Sequence, residues 1–191
     1  RWLAALAEDR RTLGELAHHA ATIEPARDAK LAELRRLIQQ KITQPTQTLD
    51  GKPNRKVLVF SAFADTAHYL YEQLKPDLQS EGIHVALVSG GGGCQSTLGR
   101  TEFNEILTLF SPVSKKRNLN PLLSDMAQID VLIATDCISE GQNLQDCDYL
   151  INYDIHWNPV RLIQRFGRID RIGSINPSIQ MVNFWPPEDL H

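Results

Sequence analysis

The sequence predicts an α/β domain built on a doubly wound, mainly parallel sheet with helices on both faces, preceded by a helical segment. Three observations carry that prediction. Short, apolar runs of the buried-strand type, half of their residues β-branched, recur at Val57-Leu58-Val59-Phe60, Val85-Ala86-Leu87-Val88 and Val131-Leu132-Ile133-Ala134. Stretches whose apolar residues keep helical spacing lie between them. A turn-rich stretch with Pro45, Asp50-Gly51 and Pro53 divides this texture from a more polar N-terminal part. Strands alternating with helices make a parallel sheet that is covered on both sides.

Taken in order, residues 1–22 read as a polar helix with Leu3, Leu6, Leu13 and Leu16 at helical spacing, and Pro25 breaks it. A second helix is expected at about 26–42, with Leu31, Leu34, Leu37 and Ile38 on one face. Residues 43–55 read as a linker. The first strand is followed by a helix over 64–78, with Ala67, Leu70, Tyr71 and Leu74 spaced for packing. The run Gly90 to Gly93 reads as a flexible surface loop, and 100–110 as a helix. Residues 111–128 are irregular and polar, with the basic cluster Lys115-Lys116-Arg117. Tyr149-Leu150-Ile151 is a fourth strand, 159–169 a helix, and 179–184 a last strand. The expected organisation is a helical spacer (1–42), a linker (43–55), the α/β lobe (56–185) and a tail (186–191). Ligands of such sheets sit beyond the carboxyl ends of the strands, so the loops after Phe60, Val88, Ala134 and Ile151 are where chemistry is sought.

Composition narrows the function classes. Formal net charge is −3, so any nucleic-acid surface must be local. The three cysteines, Cys94, Cys137 and Cys147, form no CxxC pair, which suits a reducing compartment rather than a zinc cage or a disulfide framework. No metal site is expected. No apolar run approaches a membrane span, and no signal peptide is visible. The expected location is the cytoplasm. The chain begins at Arg1 rather than Met and reads as a piece of a longer protein.

The most informative stretch runs from Trp157 to Gly173. Asn158 is a good N-cap and Pro159 suits the first helical position. Leu162, Phe166 and Ile169 form one stripe of the expected helix, which should face the sheet. Gln164, Arg168 and Arg171 form another on roughly the opposite side, presenting two guanidiniums and an amide to whatever lies outside the domain. Arginine suits an outside phosphate because it stays charged and its planar fork donates to two oxygens at once. Taken alone, such a helix is more often a solvated basic face; its neighbours decide the reading.

Gln164-Arg165-Phe166-Gly167-Arg168-Ile169-Asp170-Arg171 resembles the sixth motif of superfamily-two helicases, Q/H-R-x-G-R-x-x-R. VLIATDCISEGQNL (131–144) looks like the fifth motif, and KVLVFSAF (56–63) resembles the fourth. YDIHWNP (153–159) is similar to the stretch before motif six in the Swi/Snf-type branch, which includes the bacterial RapA-like ATPases. The resemblance covers about 56–185 and implies a RecA-like C-terminal lobe. By that resemblance Arg168 and Arg171 are arginine fingers. Gln164 couples nucleotide to the gap between lobes, Gly141 lets backbone approach closely, and Asn143 contacts the ribose. Thr135 lines the nucleic-acid track and Ser61 touches a phosphate backbone. One departure stands out: where many relatives carry an arginine before the motif that ends at Phe110, this chain has Phe103, and Arg100 lies about one turn earlier.

No G-x-x-x-x-G-K-[ST] phosphate loop occurs, and no Asp-Glu box follows a strand; Pro187-Glu188-Asp189 sits in the tail. The resemblance therefore implies one of two lobes. The partner is a first RecA-like lobe of the same chain, ATP and Mg²⁺ belong to the full-length protein, and neither is held stably by this part, which is expected to be monomeric and inactive by itself. Double-stranded DNA is the implied track. A DEAD-box-like RNA helicase is the alternative, although it more often has His at 164 and Asp at 143. A degenerate interaction module is a second alternative, to which intact Gln164, Arg168 and Arg171 are foreign.

Overall fold

The computed structural model describes residues 2–22, 24–90, 93–138, 141–156 and 158–185. Gly91, Gly92, Trp157 and the 186–191 tail, all read above from sequence, lie outside the described residues. The chain forms two compact units, Arg1–Arg36 and Leu37–His191.

In the first unit, helix α1 (Trp2–Ala21) has Leu3, Leu6, Leu13 and Leu16 exposed, so the apolar spacing that marked it is not buried here. A single 3₁₀ turn at Pro25–Arg27 follows. The second helix, α2 (Ala29–Thr43), starts three residues later than the pattern implied, because this turn takes up 25–27. Asp28 caps it, its Oδ1 accepting the Leu31 N–H at 2.9 Å.

The second unit begins at Leu37, within α2, and continues into two short antiparallel strands, β1 (Thr46–Gln47) and β2 (Pro53–Asn54). The stretch read as a linker is thus folded: Asn54 is buried and donates to the Asp146 carbonyl at 2.9 Å and to Asn176 Oδ1 at 2.8 Å. The main elements follow: β3 (Val57–Phe60), α3 (Ala64–Ser80), β4 (Val85–Ser89), β5 (Gly93–Ser96), α4 (Phe103–Phe110), β6 (Val131–Ala134), β7 (Tyr149–Asn152), α5 (Pro159–Phe166) and β8 (Gln180–Asn183). Their sheet has the order β5-β4-β6-β3-β7-β8. All pairings are parallel except β4 with β5.

That exception has a simple cause. Only residues 90–92 separate β4 from β5, and a parallel return needs a crossover of about a dozen residues. Gly93–Ser96 was invisible as a strand because it is short, largely polar and half-exposed, an edge paired to β4 with Cys94 alone of its side chains packed against the core.

Every residue of β3, β4, β6 and β7 is buried, so both faces of the sheet's centre are covered. On one face Leu58, Phe60, Val88, Leu132 and Leu150 join Ile106, Leu107 and Phe110 of α4 and the post-helical Ile169. The other face, with Val59, Leu87 and Ile133, is the one left for α3, which packs on β4 and β6 with Ala67, Leu70, Tyr71 and Leu74 inward. The four central strands are parallel and end together at Phe60, Ser89, Ala134 and Asn152, so their following loops converge on one edge.

Candidate functional site

At that edge α5 is built from its N-cap. Asn158 has extended backbone, and its Oδ1 accepts the Val160 N–H at 3.0 Å; Pro159 fills the first helical position. The helix ends at Phe166, three residues earlier than its periodicity implied. Beyond it the chain tightens into i→i−3 bonds, Arg168 N–H to the Arg165 carbonyl and Ile169 N–H to the Phe166 carbonyl. The Arg168 carbonyl, free to turn outward, accepts the Leu144 N–H at 3.0 Å. Helix propagation yields to this tie with the 141–144 loop and to complete burial of Ile169.

The expected stripe is therefore corrected. Ile169 is buried, but Leu162 and Phe166 are only half-buried. The fully buried helical residue is Arg165, at offsets of three from Leu162 and four from Ile169. It grips Asp136 with two bonds, Nε to Oδ1 at 2.7 Å and Nη2 to Oδ2 at 2.9 Å. Nη1 donates to Asn152 Oδ1 at 3.0 Å and to the Asp154 carbonyl at 3.1 Å, and the guanidinium lies 5.1 Å from the Phe60 ring centroid. Arg165 thus fastens the ends of β3, β6 and β7 to α5. The sequence reading missed it; the available signal was a charge on an apolar stripe, which must be paired, with Asp136 just beyond β6 as the partner.

Over this fastening lies a small pocket. Phe60, Asp136 and Ile138 supply its sheet side, and Arg161, Gln164 and Arg168 its α5 side. Gln164 is exposed and Arg168 half-buried. Neither makes a side-chain hydrogen bond or ion pair within the described residues. The structure brings these two together; Arg171 is exposed in the following turn and is not among the lining residues.

The remaining candidates take different positions. Gly141 has φ of +90°, with open space where a Cβ would be, so backbone conformation rather than a close neighbour demands glycine. Asn143 carries a buried Oδ1 without a hydrogen-bond partner among the described residues. Beside it, Gln142 Oε1 accepts from Lys115 Nζ. Lys115 is steadied by Asp146, whose carboxylate caps the preceding turn through Val113 N at 2.6 Å and Ser114 N at 3.0 Å. Thr135 is buried, and its hydroxyl accepts the Gly90 N–H at 3.3 Å. Ser61 is buried too, donating to Asp154 Oδ2 at 2.6 Å. Arg100 turns inward, to Glu105 at 3.6 Å and the Met126 sulfur at 3.4 Å. Among the described residues no group of three or more His, Cys, Asp or Glu side chains could hold a metal. The donors fit an anionic nucleotide but not Mg²⁺.

Fold and pocket together define a class: an α/β lobe offering unpaired guanidinium groups at the carboxyl ends of a parallel sheet. Residues 30–173 match the model of the helicase conserved C-terminal domain, and the chain belongs to that family, as a C-terminal, RecA-like lobe of the superfamily-two helicases. It is 30% identical over 128 residues to the RNA polymerase-associated protein RapA of Erwinia tasmaniensis, a match covering 67% of this chain and 11% of the relative. Over 60 residues it is 52% identical to the Bacillus subtilis protein named uncharacterized ATP-dependent helicase YqhH, covering 30% of this chain and 11% of that one. The chain thus spans 11% of the length of these curated relatives. The C-terminal part of the Fun30 ATPase domain shares the fold, with a TM-score of 0.52 at 18% identity over 81% of this chain and 39% of that one. No helix among the described residues is long and apolar enough to cross a membrane.

Proposed function

We propose that this chain is the second motor lobe of an ATP-dependent helicase or translocase of the Swi/Snf-type branch, moving on double-stranded DNA. ATP lies between it and a first lobe of the same protein. Arg168 and Arg171 act as arginine fingers, Gln164 senses the nucleotide, and the 141–144 loop, with Gly141 and the unpartnered Asn143 acceptor, holds the ribose. The observation that carries this reading is the pocket itself: Gln164 and Arg168 have no side-chain partners among the described residues, on a support in which Arg165 is fully bonded. A guanidinium held ready and unpaired is worth most against the charge that develops on a transferring phosphoryl group. Mg²⁺, which would neutralise charge on the phosphates, is assigned to the first lobe. Ser61 and Thr135 are at the strand ends where nucleic acid would pass. The Ser61 hydroxyl donates to Asp154 and the Thr135 hydroxyl accepts the Gly90 N–H, so both also fix the loops in which they stand. Asn143 and Gln164, where a DEAD-box-like RNA helicase more often has Asp and His, support DNA over RNA.

The test is made in the full-length protein. Arg168→Ala should lower DNA-stimulated turnover on the order of a thousandfold, while melting temperature and nucleotide-free DNA binding stay as they were. Arg168→Lys keeps the charge without the fork and should restore only part. Wild-type turnover in Arg168→Ala would refute the arginine-finger reading. ATPase assays with double-stranded DNA, single-stranded DNA and RNA decide the track.

A further inference from the structure

We infer that Arg161 is an additional phosphate ligand of this lobe, binding the triphosphate of ATP in its ground state; the inference rests on the functional reading above. Arg161 precedes Gln164 by three residues on α5, and Gln164 precedes Arg168 by four, so the three follow one line along the helix and its exit. All three line the same pocket.

Charge within that pocket does not balance. Arg161, Arg165 and Arg168 bring three guanidiniums, and Asp136 is the one carboxylate among the lining residues. Both Asp136 oxygens are spent on Arg165. Two positive charges are left over, which suits a ligand carrying several negative charges, as a nucleoside triphosphate does.

Nothing in the fold accounts for Arg161. Its guanidinium has no hydrogen-bond or ion-pair partner within the described residues, and the residue is exposed. It stands in the first turn of α5, which holds no acidic residue, where the free helical N–H groups already disfavour a cation. An arriving phosphate would reverse that cost, since the same amides attract anions. Arg161 also differs from Arg168 in kind. Arg168 is half-buried with its carbonyl bonded to Leu144 N–H, and is held in one place. Arg161, exposed and without a tie to a neighbouring loop among the described residues, suits capture of substrate rather than a fixed position in the transition state.

The full-length protein, with saturating double-stranded DNA, carries the test. In Arg161→Gln the KM for ATP should rise about tenfold or more, the scale of a lost charge-assisted hydrogen bond, with kcat falling less than about threefold. Arg161→Lys should recover part of the affinity, and binding of a fluorescent ATP analogue should weaken in step with KM. An unchanged KM would overturn the inference. So would a raised half-saturation for DNA with normal ATP affinity, which would make Arg161 a nucleic-acid contact. A large drop in melting temperature would make it a structural residue and overturn the inference as well. Arg168→Ala assayed in parallel separates the two levels. If it keeps turnover, the reading of the site fails; if it loses turnover while Arg161→Gln behaves as wild type, Arg161 alone is misassigned.

Discussion

Arg165 and Arg168 are three residues apart and do opposite things. Arg165 spends its guanidinium inside the protein, on Asp136, Asn152, the Asp154 carbonyl and the Phe60 ring. Arg168 keeps its own free. Removal of Asp136 would leave the Arg165 charge buried and short of its counter-ion. Asp136→Ala should therefore destabilise the lobe by about 3 kcal/mol, the low end for a broken buried pair, because the Asp136 side chain is still 32% exposed. Urea unfolding of wild type and variant measures it; a midpoint shift too small to register would mean that Asn152 and the Asp154 carbonyl suffice for Arg165. Phe166, which its spacing marked as core, is half-buried, and truncation there costs less than at Ile169.

At the scale of elements, position depends on a few polar ties between segments distant in sequence. The last turn of α2 is joined to the start of β7 through Lys41 and Asp148, 2.8 Å apart with side chains 4% and 3% exposed. Thr46, opening β1, also donates to Asp148. Asp148→Ala should cost about 3–5 kcal/mol, because the Lys41 ammonium would be buried without its counter-charge. A Lys41→Met, Asp148→Leu double variant should recover much of that loss, since apolar groups of similar volume need no partner. Chemical denaturation of the three proteins measures it; a double variant as unstable as the single one would show that the tie contributes more than compensation of charge. The same logic explains why α5 is shorter than its pattern. Periodicity describes what a helix could bury, and the bond from Leu144 N–H to the Arg168 carbonyl decides where it stops.

The molecule as a whole places its two unusual buried ionisable groups near the amino ends of the strands, away from the pocket. Lys56 lies just before β3, donates to the Ile129 carbonyl at 3.1 Å, and burial pushes its ammonium down from 10.5 to about 8. Between about pH 8 and 10.5 the unfolded chain holds a proton that the folded chain has released, so stability rises with pH over that window. Cys147, just before β7, acts in the other direction. Burial pushes its thiol up from 9.0 to about 12, so above pH 9 the unfolded chain loses a proton that the folded one keeps, and stability falls. Urea midpoints should therefore climb between pH 8 and pH 9 and level off or decline beyond it. Lys56→Met should remove the climb; its persistence in that variant would assign the rise to another group.

The sequence by itself determined the strands β3, β4, β6 and β7, because a segment buried on both faces must be apolar throughout and short. It also determined which loops gather at one edge, because parallel strands buried side by side end together. Gln164 and Arg168 were legible for the same reason: a polar group left outside an apolar pattern is visible in one dimension. Only the tertiary structure decided which arginines are free. Whether a guanidinium is spent or available depends on a carboxylate 29 residues away in sequence, and neither propensity nor spacing records that pairing. The strands β1, β2 and β5 were undecidable on the same ground. They are short and polar, with no apolar run to mark them, and the side-chain bonds that help hold β1 and β2, Thr46 to Asp148 and Asn54 to the Asp146 carbonyl, reach partners about a hundred residues away in sequence.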